Sequence, residues 1–241
     1  MALAVHLFRR IMRRGRVIGL LALSSVPALL FWLVGFDDTD GRPAELYTDI
    51  VSSVGYTYVI AALILTVATL RDERDSGTLP YIYMRPIRRL NMAAQSVLAG
   101  TAAALVIGAG GWLAAMLASL ALGDVSIALP SLSLFVAAGI GYAAIFVPLG
   151  YLVPRSLLVG LGYILVVETI LANVVTGLAQ FSVWRIAVSI YAGLDNDLGE
   201  VASEALGPVT PGVGGGMAKL AGVVVIGLAV LTWALKKRDA L

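Results

Sequence analysis

The chain contains no cysteine, which excludes disulfides, thiol catalysis and cysteine-based metal sites. Its one histidine, His6, cannot build a histidine-rich metal site. Charge is scarce as well. Asp, Glu, Lys and Arg make up 13% of the 241 residues, about half the ~25% usual in a soluble domain. There is no HExxH pattern, no GxSxG elbow, and no pair of carboxylates within one apolar run. The glycine-rich GVGGGMAKL at 212–220 lacks the Gly-Lys-Ser/Thr ending of a phosphate loop and follows no strand. No resident metal, nucleotide or nucleic-acid partner is expected of this chain.

Apolar residues dominate what is present. They make up 59% of the sequence, and the mean hydropathy is +0.92. Several apolar runs reach about 20 residues, the length that crosses a ~30 Å hydrocarbon core. The expectation is an all-α membrane protein with one transmembrane domain over 1–241. Six spans are predicted at about 17–35, 50–70, 92–122, 131–152, 156–176 and 216–235. Pro27 can kink the first, and the Ala- and Gly-rich third lets backbones approach closely.

Residues 1–16 read as an interfacial amphipathic helix held by apolar insertion and anionic lipid, with Ala4, Phe8, Ile11 and Met12 on one face and His6, Arg9, Arg10 and Arg13 on the other. A signal peptide competes with that reading, but 17–35 is long for its apolar core and no clear cleavage site comes after it. The acidic segment FDDTDGRPAELYTD after the first span reads as an external connector. Residues 177–203 read as an external interfacial or re-entrant helix, with Trp184 and Tyr191 at headgroup level. Six spans with both termini in the cytoplasm leave only Arg42, Arg185 and Lys219 of the 17 basic residues outside.

The stretch 71–91, RDERDSGTLPYIYMRPIRRLN, carries Arg71, Arg74, Arg85, Arg88 and Arg89, which places it in the cytoplasm. Thr78 can cap a short helix that Pro80 opens and Pro86 stops, and Asn91 can cap the next span. Such a helix presents Leu79, Tyr81, Ile82, Tyr83 and Met84 near the membrane surface. It reads as a docking element for a cytoplasmic partner, or as a basic loop resting on anionic headgroups.

Glu168, in YILVVETILAN, is the ionisable residue within a span, with Asn173 five positions on. An intramembrane acid costs about 2.5–3.5 kcal/mol at the bilayer centre and must face the bundle interior or be protonated. It can contact a substrate, a proton or a gating partner. It can equally be a buried hydrogen bond to a neighbouring Ser, Tyr or Trp.

Glu73, Ser76-Gly77-Thr78-Leu79 and Pro86-Ile87-Arg88-Arg89 together resemble the signature of ABC-2 type transporter permeases, the membrane subunits of bacterial ATP-binding-cassette exporters. The resemblance extends to the layout of the whole chain, and Glu168 with Phe181-Ser182-Val183-x-Arg185 is similar to a pattern in some bacterial members. A lysine common early in the family's third span is missing; Asn91 to Ser96, with Gln95, stands there. The resemblance implies that 71–91 is a coupling element docking into a separate ATPase subunit. Glu73, Gly77 and Thr78 would form the joint between span and coupling helix, with Leu79, Tyr81, Pro86, Arg88 and Arg89 beyond it. It further implies that ATP and Mg are bound by that partner, that a second permease copy or a paralogue completes the pathway, and that the chain is a multi-pass protein of the bacterial plasma membrane. A secondary transporter or channel using Glu168 as a proton or cation site is the alternative.

Overall fold

The computed structural model describes residues 2–35, 43–78, 81–82, 87–123, 128–171, 182–194 and 212–238. Among these residues every regular element is helical. The elements are α1 (Ala2–Ile11), α2 (Arg14–Ser24), α3 (Val26–Gly35), α4 (Pro43–Val54), α5 (Tyr56–Asp75), α6 (Arg89–Leu122) and α7 (Ala128–Leu152). They continue as α8 (Ser156–Tyr163), a π-helical segment over Ile164–Leu171, α9 (Val183–Ala192) and α10 (Val213–Arg238).

Among the described residues four stretches are long and apolar enough to cross a membrane: Gly15–Gly35, Arg89–Leu122, Leu129–Leu152 and Val213–Lys237. The other two predicted spans are not among these four. The run over 50–70 is divided between α4 and α5 at Gly55, and α5 ends in the charged RDERD turn. The run over 156–176 is described only as far as Leu171, and its second half is π-helical. The break between α2 and α3 falls at Ser25, two residues before Pro27, whose missing N–H cannot continue the ladder.

Helix α7 is the central element and touches α5, α6, α8, α9 and α10. Of its apolar window 67% is buried, against 28–33% for the other three membrane-length helices. Small residues make this packing possible. A Cβ on Gly100 or Gly108 of α6 would run into Val147 or Tyr58, so the close approach expected of the Ala/Gly-rich helix is present. Pro148 leaves the Ala144 carbonyl without its helical N–H, and Gly227 of α10 sits against that carbonyl. Gly150 lies on the Val67 backbone of α5 with no room for a methyl group. Gly150→Val is therefore expected to push α5 and α7 apart and cost about 1–3 kcal/mol or more, seen as a lower unfolding midpoint in detergent.

One apolar cluster gathers Leu3 and Leu7 of α1, Leu70 of α5, Met92 and Val97 of α6, Tyr151 of α7 and Leu231 and Leu235 of α10. It ties α1 and the last turns of α10 to the same end of the bundle. It also corrects two expectations about α1. The buried stripe is Leu3, Leu7 and Ile11, with Ala4, Phe8 and Met12 only partly covered, and the surface covering it is protein. Similarly, Trp184 and Tyr191 of α9 are not at a headgroup surface. Both are buried, and Trp184 packs on Tyr56 with ring centroids 5.4 Å apart. Gly55 gives the indole its space.

Candidate functional site

Helix α5 runs apolar and buried until Leu70, then meets Arg71, Asp72, Glu73, Arg74 and Asp75. It must end where its last carbonyls can find donors. Gly77 adopts φ +69°, the left-handed conformation that glycine enters without a Cβ penalty. That geometry closes a Schellman motif: Gly77 N–H donates to Arg74 O at 3.1 Å and Thr78 N–H to Glu73 O at 3.1 Å. Gly77→Ala forces an L side chain into this conformation. The expected cost is about 1–2 kcal/mol, read as a lower unfolding midpoint with the helical content unchanged.

The turn folds the Thr78 hydroxyl back onto α5, where it donates to the Glu73 carboxylate and to Glu73 O. The predicted cap by Thr78 concerns a helix that lies mostly outside the described residues. Tyr81 N–H reaches Thr78 O at 3.2 Å through the backbone. Asn91 does not cap α6. That helix starts at Arg89 with Arg88 before it, and Asn91 lies in its first turn.

Glu73 is 1% exposed and is held by α1. Arg10 Nη1 lies 2.8 Å from Glu73 Oε1, and His6 Nε2, on a largely exposed ring, lies 3.3 Å from the same oxygen. The Arg10 guanidinium also donates to Asp72 O at 3.0 Å, Ser76 Oγ at 2.6 Å and Thr78 Oγ1 at 3.3 Å. One side chain thus pairs its charge with a buried carboxylate and caps the negative end of a helix, although Glu73 Oε1 accepts no well-aligned hydrogen bond. Arg16 adds a contact to Asp72 at 3.2 Å, and Arg74 donates to Tyr151 O of α7 at 3.1 Å. The end of α5 is bolted to α1 on one side and to α7 on the other.

Beside this joint opens a cavity of about 500 Å³ lined by Leu3, His6, Arg10, Glu73, Thr78, Tyr81 and Ile82. Tyr81 stands at its rim, 69% exposed, while Ile82 is buried. The structure brings together Glu73, Gly77, Thr78 and Tyr81 of the predicted coupling residues. Arg88 is exposed and Arg89 half-buried at the start of α6. Leu79, Pro80, Pro86 and most of the predicted coupling helix lie outside the described residues, as does Asn173. Arg9 and Arg13 are exposed, as an interfacial helix requires. Arg10 turns inward instead. The sequence signal for that role is an acid at the end of an apolar run, which needs a cation from elsewhere in the chain.

Residues 12–167 match the family model of the ABC-2 family transporter protein. The chain belongs to the ABC-2 transporter family. No curated protein and no solved structure matches it. The ABC-2 match takes in Glu73, Gly77 and Thr78, begins just after α1, and ends one residue before Glu168. This ABC-2 chain is thus a multi-pass membrane protein of a transport family.

Glu168 forms a second polar centre in the ABC-2 chain. It is 1% exposed, and the groups around its carboxylate are donors. Oε1 accepts from Tyr163 OH at 3.0 Å and Val183 N–H at 3.1 Å. Oε2 accepts from the Ser182 hydroxyl and from Trp184 N–H at 3.4 Å. Ser182 Oγ in turn accepts from Arg185 N–H at 3.2 Å. Glu168 and Ser182 together serve the first three amides of α9, which would otherwise be orphaned inside the bundle. This is the buried hydrogen-bond role expected as one of two readings, with a helix N-terminus as the partner.

Proposed function

We propose that this chain is the permease half of an ABC exporter of the bacterial plasma membrane. The joint at the end of α5 is its coupling station. In this reading the chain crosses the bilayer six times, with α4–α5 and α8 as the second and fifth spans and both termini in the cytoplasm. Two copies, or this chain and a paralogue, form the pathway. ATP and Mg are bound and ATP is hydrolysed in a separate ATPase subunit, whose closure moves α5 through the 71–91 segment and α1. The observation that carries this reading is the Arg10–Glu73–Thr78 joint. It rigidly links an amphipathic helix, the end of a membrane helix and the base of an open groove. A force applied at Tyr81 reaches α5 and α1 together because neither can move without breaking the buried pair. Glu168 as a proton or cation site competes with this reading. The four donors around its oxygens weigh against it, since they leave no carboxylate lone pair aimed at a cation.

The tagged chain, purified in mild detergent from cells also expressing a candidate cassette ATPase, tests the proposal. Vanadate-sensitive ATP hydrolysis should co-purify with it. Tyr81→Glu, on an exposed side chain that the fold does not need, should lower that activity on the order of ten-fold, as loss of an interface anchor does. Absence of ATPase activity in the purified material, or a Tyr81→Glu variant identical to wild type, would overturn it.

A further inference from the structure

Three departures from regular α-helix meet at one place in the bundle. Residues Ile164–Leu171 are π-helical, α4 and α5 are separated at Gly55, and α9 starts at Val183 behind its N-cap Ser182. Glu168 sits in the π segment with its carboxylate on the first amides of α9. Trp184, at the start of α9, packs on Tyr56 and against Gly55. Tyr56 OH closes the ring by donating to Glu168 O at 3.2 Å.

The register of the π segment decides whether these contacts exist. Tyr163 and Glu168 are five residues apart and share a hydrogen bond of 3.0 Å. An i→i+5 ladder puts such a pair on one face. In an α-helix the step is about 100° per residue, so the same two side chains stand roughly 140° apart. Thr169 Oγ1 also reaches back to Ile164 O, again at a separation of five. A return of this segment to α register would therefore carry the Glu168 carboxylate away from Tyr163 and off the α9 N-terminus. Short π segments are frequent at functional sites.

We propose that Glu168 is the latch of a register switch: in π register it holds α9 inserted in the bundle, and in α register it lets α9 go. The device is built from residues of this chain and does not depend on which subunit supplies the energy. It gives α9 two discrete positions governed by one turn of the preceding span.

The absence of native cysteine allows a direct test. Spin labels are placed on Ile170→Cys and Leu194→Cys, both more than half exposed and neither touching the latch. Distances are measured by double electron–electron resonance on the full chain in lipid nanodiscs. Glu168→Gln puts an amide donor among donors and should raise a second, displaced population on the order of ten-fold over wild type. Deleting Val166 shortens the Tyr163–Glu168 separation to four, which shares a face in a regular α-helix. The latch is then closed in α register, and the deletion with Glu168 in place should show the wild-type distance alone. Tyr163→Phe removes one donor and should give a smaller displaced population, which covers the case in which Glu168→Gln does not fold. If Glu168→Gln and Tyr163→Phe both keep the wild-type distribution, Glu168 is a static cap and the proposal fails. It also fails if the deletion with Glu168 in place shows the displaced population, because a latch closed in α register leaves no open state.

Discussion

Arg10→Ala is expected to detach α1 from the bundle. The substitution leaves the Glu73 carboxylate, 1% exposed, without its arginine. Breaking a fully buried ion pair costs about 3–5 kcal/mol. Arg10 itself is 23% exposed, so water recovers part of the loss, and the low end of about 3 kcal/mol applies. The same change takes the guanidinium away from Asp72 O and Ser76 Oγ at the end of α5, which keep their bond to each other. His6, on a largely exposed ring, is too well solvated to replace the guanidinium. Limited proteolysis in detergent should cut between α1 and α2 in the variant and spare the wild type, while the unfolding midpoint falls. Arg10→Lys should recover only part of the loss. A single ammonium can meet the carboxylate but cannot span the carbonyl and the two hydroxyls in the fixed plane of a guanidinium.

Glu168→Ala should act at the opposite pole of α5. It strips the acceptor from Val183 N–H, Trp184 N–H and the Ser182 hydroxyl, all inside the bundle. Each buried donor left unpaired costs about 1–3 kcal/mol, so the expected loss is about 3 kcal/mol or more. The measurement is thiol reactivity at Val188→Cys on α9, a position 3% exposed. Maleimide labelling there should be slow with Glu168 in place and at least on the order of ten-fold faster without it. Equal rates would mean that α9 holds its position by packing alone.

The sequence carries the architecture well because hydrophobicity is written residue by residue. The apolar runs that form Gly15–Gly35, α6, α7 and α10 are visible as lengths, and the small residues of α6 as a composition. What the sequence hides are partners distant along the chain. Periodicity puts Arg10 on the polar face of an amphipathic helix, and it is on that face. Nothing local says that the face turns toward an acid 63 residues on, because that depends on how α1 lies across α5 and α6. The same holds for Thr78. Its neighbours Pro80 and Pro86 suggest a cap for a helix on their side, and nothing local shows that the Gly77 turn brings its hydroxyl back onto Glu73. Residue type alone assigns Trp184 and Tyr191 to an interface. Their burial comes from α9 packing on α7 and α10, which no ten-residue window contains. Glu168 is legible as an anomaly, an acid in an apolar run, but its partner is a helix N-terminus more than a dozen residues away.

The most direct measurement uses Tyr81→Cys, at the rim of the joint, in a chain that otherwise has no thiol. The variant is made in cells that express the cassette ATPase. A membrane-impermeant maleimide is applied to intact cells from outside, and a bifunctional cross-linker is applied to inverted membrane vesicles. If the end of α5 is the coupling station, the outside reagent leaves the introduced thiol unmodified and the cross-linker joins it to the ATPase, with a yield that changes when ATP is added. Labelling of this position from outside the cell would place the joint on the wrong side of the bilayer and contradict the assignment.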